Sequence, residues 1–336
     1  MKIAIDAMGG DRAPVPNIKG AIQAIKPEGL GGVLRKDEIQ IVLIGKKDLI
    51  KKELSRQRVG NLPIEIEEAT QVIEMEDSPM RAVTKKTDSS IVVGVKLLRE
   101  GKIDGLVSAG NSGAFMAAAA INLDKLKGVK RPAIAAVFPT LKQSCVIVDA
   151  GANADCKPKH LYQFAMMGEA YVRDVYKRRI PRVGLVSMGH EKGKGNKLTR
   201  ATYKLLMKSD MNFIGNIEGN DIITGDVDVV VCDGFTGNII LKLGEGIAGS
   251  MLKMLKNEID KSIVRKLGAG IMKGAFSDLK KRVFYEEIGG APLLGLEGTC
   301  IISHGSSNTK AIKNAVNVAA EFIEQDVNKH IEKNLK

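Results

Sequence analysis

The stretch Lys2-Ile3-Ala4-Ile5-Asp6-Ala7-Met8-Gly9-Gly10-Asp11 sets the pattern for the whole chain. Its first residues form a short β-rich run that ends in an acid, and Gly9 and Gly10 then supply a tight turn. From Asn17 to Ile25 the apolar residues recur at helical spacing. The same unit of strand, turn and helix repeats along the sequence. Further β-rich runs lie at Ile39–Ile44, Ile64–Glu67, Ile103–Val107, Ala133–Phe138, Cys145–Val148, Arg182–Val186, Val227–Val231 and Cys300–Ile302. Helical patterns occupy Ser89–Glu100, Ser112–Lys127, Pro158–Tyr176, Asn196–Met207 and Asn308–Val327, with Pro158 suited to a first turn. This alternation predicts an α/β fold around a mostly parallel, doubly wound sheet. No repeat or low-complexity linker marks a boundary. An N-terminal lobe of residues 1–150 and a C-terminal lobe of 151–336 are expected, with a single domain as the alternative.

Six of the strands run into a small, polar, glycine-rich turn. These are Asp6 to Asp11, Ser108-Ala109-Gly110-Asn111-Ser112-Gly113, Asp149-Ala150-Gly151-Ala152-Asn153, Met188 through Gly195-Asn196, Asp233-Gly234-Phe235-Thr236-Gly237-Asn238, and Ser303-His304-Gly305-Ser306-Ser307-Asn308. On a parallel sheet such turns share one edge, the edge where α/β proteins bind ligands, so they are expected to converge. Glycine allows backbone N–H groups close to a ligand, and helix N-termini add unsatisfied donors and a positive dipole end. Several of them around one crevice make a site for a phosphate-type anion. Tight turns use Gly, Asn and Ser anyway, which accounts for any one of these loops but less well for six.

Composition narrows the field. The 336 residues are 44% hydrophobic and 27% charged, enough for a large core. A net charge of +12 implies acidic partners, yet 4% aromatic content, no Trp and no long Lys/Arg block argue against nucleic acid. Met1 to Asp6 lacks the core of a signal peptide, and the apolar run Ala114–Ile121 is too short to span a bilayer, so a cytoplasmic location is expected. Cys145, Cys156, Cys232 and Cys300 are far apart, and His160, His190, His304 and His330 stand singly. Neither set has metal-ligand spacing, so no metal and no cofactor are expected, although carboxylate-bound Mg²⁺ stays open. Gly244 to Gly249 fits G-x-G-x-x-G but falls inside a helical pattern, and the Gly189–Gly195 region lacks the spacing of a P-loop.

The ordered set of turns resembles that of the phosphate acyltransferases of bacterial phospholipid synthesis. The residues that carry the resemblance are Ile5 to Asp11 with Ala13-Pro14, Ser108 to Ala114, Asp149 to Asn153, Lys194-Gly195-Asn196, Asp233 to Asn238 and His304 to Ser307. It implies a fold similar to phosphotransacetylases and isopropylmalate-type dehydrogenases, and a homodimer. The implied reaction moves a fatty acyl group reversibly from acyl carrier protein to inorganic phosphate, and a membrane glycerol-phosphate acyltransferase consumes the acyl phosphate. A coenzyme A-dependent phosphate acyltransferase and a non-catalytic membrane scaffold are the alternatives. Residues 26–38 look longer than the pattern, and His190 stands where a small polar or acidic residue is expected.

Phosphate is itself an oxygen nucleophile, so the protein has to hold a dianion against a thioester and stabilise the oxyanion. Lys194, flanked by glycines at a helix start, is the expected cation, with Asn238 as a second catalytic group; a solvated lysine and a helix cap are the competing readings. Gly9, Gly10, Asn111, Ser112, Gly113, Gly195, Asn196, Thr236, Gly237, His304 and Ser306 are the expected phosphate- or substrate-binding positions. Asp6, Asp11 and Asp233 cannot meet an anion favourably and are expected to orient Lys194 or backbone donors. His304 is a candidate for protonating the sulfur, with capping or packing as the alternative.

Residues 247–282 carry their own signal. Ile247, Met251, Met254, Leu255, Ile259, Ile263 and Leu267 recur at largely helical spacing, and Met251 to Arg282 holds nine Lys/Arg against three Asp/Glu. This predicts a helical hairpin. It would contact an anionic membrane or partner through Met254, Leu255, Ile263 and Leu267, or else pack a dimer.

Overall fold

The computed structural model describes residues 1–26, 39–283 and 289–335, so most of the long segment 26–38 lies outside it. Eleven strands form one sheet in the order β3-β2-β1-β4-β11-β10-β5-β6-β9-β7-β8. They are β1 (Lys2–Asp6), β2 (Gln40–Gly45), β3 (Ile64–Glu68), β4 (Gly105–Ser108), β5 (Ala133–Phe138), β6 (Cys145–Val148), β7 (Val183–Val186), β8 (Phe213–Ile217), β9 (Val229–Val231), β10 (Ala291–Leu294) and β11 (Thr299–Ile302). The helices are α1 (Val15–Ile25), α2 (Lys47–Ser55), α3 (Pro79–Lys85), α4 (Ser90–Arg99), α5 (Ser112–Asn122), α6 (Pro158–Val175), α7 (Lys197–Leu206), α8 (Gly219–Thr224), α9 (Gly234–Asp260), α10 (Ile263–Ile271), α11 (Lys273–Val283), α12 (Thr309–Glu324) and α13 (Val327–Asn334). The α/β architecture is as expected, and all nine predicted strands are present.

Strand alternation sorts the core. Ile3 and Ile5 of β1 meet Ile18 and Ile22 of α1 and Ala315 and Ala319 of α12 on one face. Ala4, Val42 and Ile44 turn to the other, against Val92, Val95 and Phe115 of α4 and α5. In the second half Val146 and Val148 pack on Phe164, Met167 and Tyr171 of α6, whereas Ile147 faces the α5 side. The last described segment, 289–335, returns to the first half, where β11 lies beside β4 and α12 against α1.

The six turns do not share one edge. The pairings β11–β10, β10–β5 and β5–β6 are antiparallel, so β3-β2-β1-β4-β11 run one way and β6-β9-β7-β8 run the other. They still converge in part, because the strands at the reversal are short and staggered. Ile302 at the end of β11 faces Ala291, Leu293 faces Ile134, and Ala135 faces Val148 at the end of β6. The carboxyl ends of β11 and β6 therefore arrive at nearly the same level from opposite directions.

Candidate functional site

Three loops of the first half lock together through backbone. The buried Asp6 carboxylate accepts from Met8 N (3.1 Å) and Ser108 Oγ (2.7 Å), and Ser108 Oγ accepts from Gly110 N (3.1 Å). Burial pushes the Asp6 pKa up, opposed by its hydrogen-bond donors. Asn17 Nδ2 donates to the carbonyls of Asp6, Ala7 and Gly9. A side chain at Gly9 would lie 2.3 Å from Asp6 Oδ2 and 2.6 Å from Gly110 N, and Asp11 N donates to Gly305 O at 2.9 Å. At Gly10, φ is +105° and a Cβ would come 2.9 Å from Gly305 O. Asn111 caps α5 through Ala114 N and donates from Nδ2 to the carbonyls of Glu74, Met75 and Asp77. Its side chain thus holds the segment before α3. Gly113 faces Pro79, where a Cβ would lie 2.7 Å from Cγ.

The second half is organised by Asp149. This buried carboxylate accepts from Ile134 N, Gly151 N and Ala152 N on Oδ1, and from Asn153 N and Nδ2 on Oδ2. Burial raises its pKa and the donors act against that rise. The first turn of α9 sits directly on this loop. A Cβ on Gly237 would lie 1.9 Å from Asp149 O, so only glycine permits the approach. Asp233 caps α9, accepting from Thr236 N (2.8 Å) and Thr236 Oγ1 (3.2 Å). Thr236 and Asp233 are thereby engaged with each other.

Between these two assemblies lies a cavity of about 220 Å³. Met116, Ile134, Ala136, Val137, Leu241, Ala291 and Ile302 form its apolar wall; Ser112, Asn238, Lys242, Glu245, Ser303 and His304 supply polar groups, and Gly151, Gly289 and Gly290 add backbone. Lys242 Nζ lies 3.2 Å from Glu245 Oε2 and 3.3 Å from His304 Nε2. His304 Nδ1 is 3.1 Å from Ser306 N and 2.8 Å from Ser306 Oγ. Asn238 packs on the Gly151 loop. A charged and hydrogen-bonding end thus meets an apolar wall, an arrangement suited to an anion reacting with an acyl group.

A model of the family described as "Fatty acid synthesis protein" matches residues 1–330. A phosphate acyltransferase of Pelotomaculum thermopropionicum is 49% identical over 336 residues, covering 99% of this chain and 95% of that protein. One from Dictyoglomus turgidum is 47% identical over 333 residues, covering 98% and 96%. The chain belongs to the phosphate acyltransferase family. Its members are acyltransferases of fatty acid synthesis. In fold the chain is similar to a phosphotransacetylase from Streptococcus pyogenes, at TM-score 0.63 and 14% identity over 96% of this chain and 94% of that one. A branched-chain phosphotransacylase from Enterococcus faecalis gives TM-score 0.57 at 12% identity over 96% and 99%.

Within this family member, the cavity gathers Ser112, Asn238 and His304 of the expected residues, with Ser306 bonded behind His304. Lys194 is exposed in the β7–α7 loop and does not line the cavity. Its neighbour Asn196 caps α7 through Thr199 N at 2.9 Å, and Gly195 takes φ +98°. His190 joins this loop to α8, with Nε2 2.7 Å from Asp221 Oδ2, and that bond raises its pKa. Lys242, Glu245 and Asp149 were not among the expected residues. Lys242 and Glu245 follow Asn238 by one helical turn and nearly two, so continuing the helix from the Asp233–Asn238 turn is the signal that finds them. Gly244 to Gly249 lies within α9.

No metal-binding group of three or more His, Cys, Asp or Glu occurs among the described residues. Burial pushes the thiols of Cys145 and Cys300 up to about 12 and that of Cys156 up to about 11, and it raises that of Cys232 as well. The 247–282 segment is helical in α9, α10 and α11, with breaks at Lys261-Ser262 and at Met272. The only buried residues of α9 are Gly234 and Gly237, and no residue of α10 is buried. No described helix is long and apolar enough to cross a membrane.

Proposed function

We propose that this chain transfers a fatty acyl group from the thioester of an acyl carrier protein to inorganic phosphate. A phosphate oxygen attacks the carbonyl carbon, the C–S bond breaks, and the sulfur leaves with the electron pair and is protonated. The observation that carries this reading is the cavity at the sheet reversal, where an apolar wall meets Asn238, Lys242 and His304. Apolar walls exclude water and take up the acyl chain near the carbonyl, while the polar end holds the anion in line for attack. Asn238 Nδ2 is the proposed donor to the developing oxyanion. The raised thiol pKa values speak against an acyl-cysteine intermediate, since the thiolate is the nucleophile in such chemistry. The deciding experiment measures thiol release from acyl carrier protein by the purified chain. Release that depends on phosphate supports the reading; release only from a coenzyme A thioester replaces the donor, and no release from either overturns it.

The chain is further read as a homodimer and as peripheral to an anionic membrane, where a membrane glycerol-phosphate acyltransferase takes the product. Met254 and Ile263 are 66% and 78% exposed, and Leu255 and Leu267 are exposed beside them. Basic residues interleave with this apolar set, which suits reversible, salt-sensitive binding to anionic lipid. Flotation with anionic and neutral vesicles tests it. Wild type that never floats assigns the exposed face to packing between subunits.

A further inference from the structure

We infer that Phe138 selects which acyl chains the cavity takes, acting as a stop between the cavity and the outer part of α9; this deepens the acyl-transfer reading above and rests on it. The row that carries the argument lies on one face of β5. Alternation along the strand turns Ile134, Ala136 and Phe138 the same way, and Ile134 and Ala136 line the cavity. α9 lies opposite, with Leu241 lining the cavity and Gly244 one turn further along the same face. The Phe138 ring fills the space where these two rows meet. A Cβ on Gly244 would come 2.5 Å from Phe138 Cε2 and 2.8 Å from Cζ, so the ring rests on the helix where a side chain is missing. The ring itself is no part of the cavity lining and stands at the end of the apolar row.

Size makes the stop matter. An apolar cavity of about 150 Å³ takes one benzene, six carbons in all. On that scale the 220 Å³ here hold roughly nine carbons, and the thioester and the anion use part of the room. A hexanoyl chain thus fits with the ring in place, whereas a hexadecanoyl chain has to leave the cavity. Each methylene kept out of water is worth up to roughly fourfold in affinity, so an exit into solvent forfeits most of what a long chain offers. An exit between β5 and α9 keeps the chain on apolar surface, because past Gly244 the same face of α9 presents Ala248 and Leu252, both half-buried. Phe138 lies across that exit. It is only half-buried itself, so the ring can turn aside without opening the core.

The test uses the full chain and measures kcat/KM for hexanoyl and hexadecanoyl thioesters of acyl carrier protein. Phe138→Ala removes the stop and is expected to raise the ratio of hexadecanoyl to hexanoyl kcat/KM by about tenfold or more, the worth of two methylenes gained. Phe138→Trp should lower the same ratio. Phe138→Leu keeps an apolar side chain against Gly244, should fall between wild type and the Ala variant, and carries the test if the Ala variant does not fold. A structural loss lowers both donors alike and leaves the ratio where it was. That result, in a variant with a wild-type circular dichroism spectrum, overturns the assignment. Binding of hexanoate and hexadecanoate, followed by calorimetry, reads the same ratio without turnover. If wild type releases no thiol from either donor, a hexadecanoate preference that rises in Phe138→Ala sinks the acyl-transfer reading and leaves the chain site standing; a preference that does not move sinks the chain site as well.

Discussion

Two buried aspartates close the two halves of the cavity, and they do so differently. Asp6 draws its donors from separate elements, taking Met8 N and Ser108 Oγ with Ser90 and Gly9 beside them, and backbone contacts among Gly9, Gly110 and Gly305 add to the lock. Asp149 collects five donors from four residues and wraps a single loop around its carboxylate. The Asp6 side is therefore rigid because neighbouring loops interlock, and the Asp149 side because one side chain satisfies many amides. The second arrangement is the one that seats α9, which carries Asn238 and Lys242.

The comparison breaks most visibly at the contact between α9 and the Asp149 loop. Gly237→Ala puts a methyl group where a carbonyl already is, and is expected to cost at least about 3 kcal/mol in urea unfolding, or to leave the protein insoluble. Asp149→Ala orphans five donors at once and should cost roughly 3 to 5 kcal/mol by the same measurement. Asp149→Asn is the finer probe, because its amide would face Asn153 N with a donor. Asp6→Asn can still accept from the Met8 and Gly9 amides while Ser90 and Ser108, unlike amides, can turn their hydroxyls, so its loss should be about 1 to 2 kcal/mol. Equal costs for the two Asn variants would erase the distinction.

Turnover gives the next level of effect. Asn238→Ala should lower kcat by about a hundredfold without changing the unfolding midpoint, since it removes a donor expected to act on the transition state. Lys194→Ala, in an exposed loop outside the cavity, should cost less than Lys242→Met; the reverse order would move the anion site to the β7–α7 loop. Met254→Glu with Ile263→Glu should abolish vesicle flotation while leaving turnover of a soluble donor intact, which separates the base of α9 from its outer part and α10.

The smallest effect is one of pH. The Asp221 carboxylate raises the pKa of His190, so the folded value lies above the ordinary 6.5. The stabilisation from this pair is complete below the unfolded pKa and disappears as pH rises through the folded one. An NMR titration should place the His190 midpoint above 6.5 in wild type and return it toward 6.5 in Asp221→Asn. An unshifted wild-type midpoint would show that the contact between this loop and α8 does not persist in solution.

Much of the fold was legible because the strand–turn–helix unit is repeated so plainly. The two strands that were not foreseen have reasons. In β10 Pro292 interrupts a four-residue run, a residue that argues against a strand unless the sheet tolerates its missing N–H. In β8 Gly215, at φ +105°, breaks the alternation beside an irregular register with β7. Those omissions matter beyond counting, because β10 makes two of the three antiparallel pairings across which the sheet reverses. Without it, a parallel reading sends all six turns to one edge. The site was legible at Asn238, Ser112 and His304, which stand in or beside glycine turns. Lys242 was hidden because a lysine inside a helix has no local mark that separates it from a solvated one; only the placement of β11 against β4 brings His304 to it.

α9 begins on the Asp149 loop and continues for 27 residues. At 1.5 Å per residue it is a rod of about 40 Å, with Lys242 about 12 Å along it. Its two buried residues both belong to the first turn, and Ile240, Leu241 and Gly244 continue the contact with the core, Gly244 against the Phe138 ring. Beyond Gly244 the rod runs on for about 24 Å with no buried residue. Whatever grips its outer end therefore holds the same beam that carries Lys242 at its root.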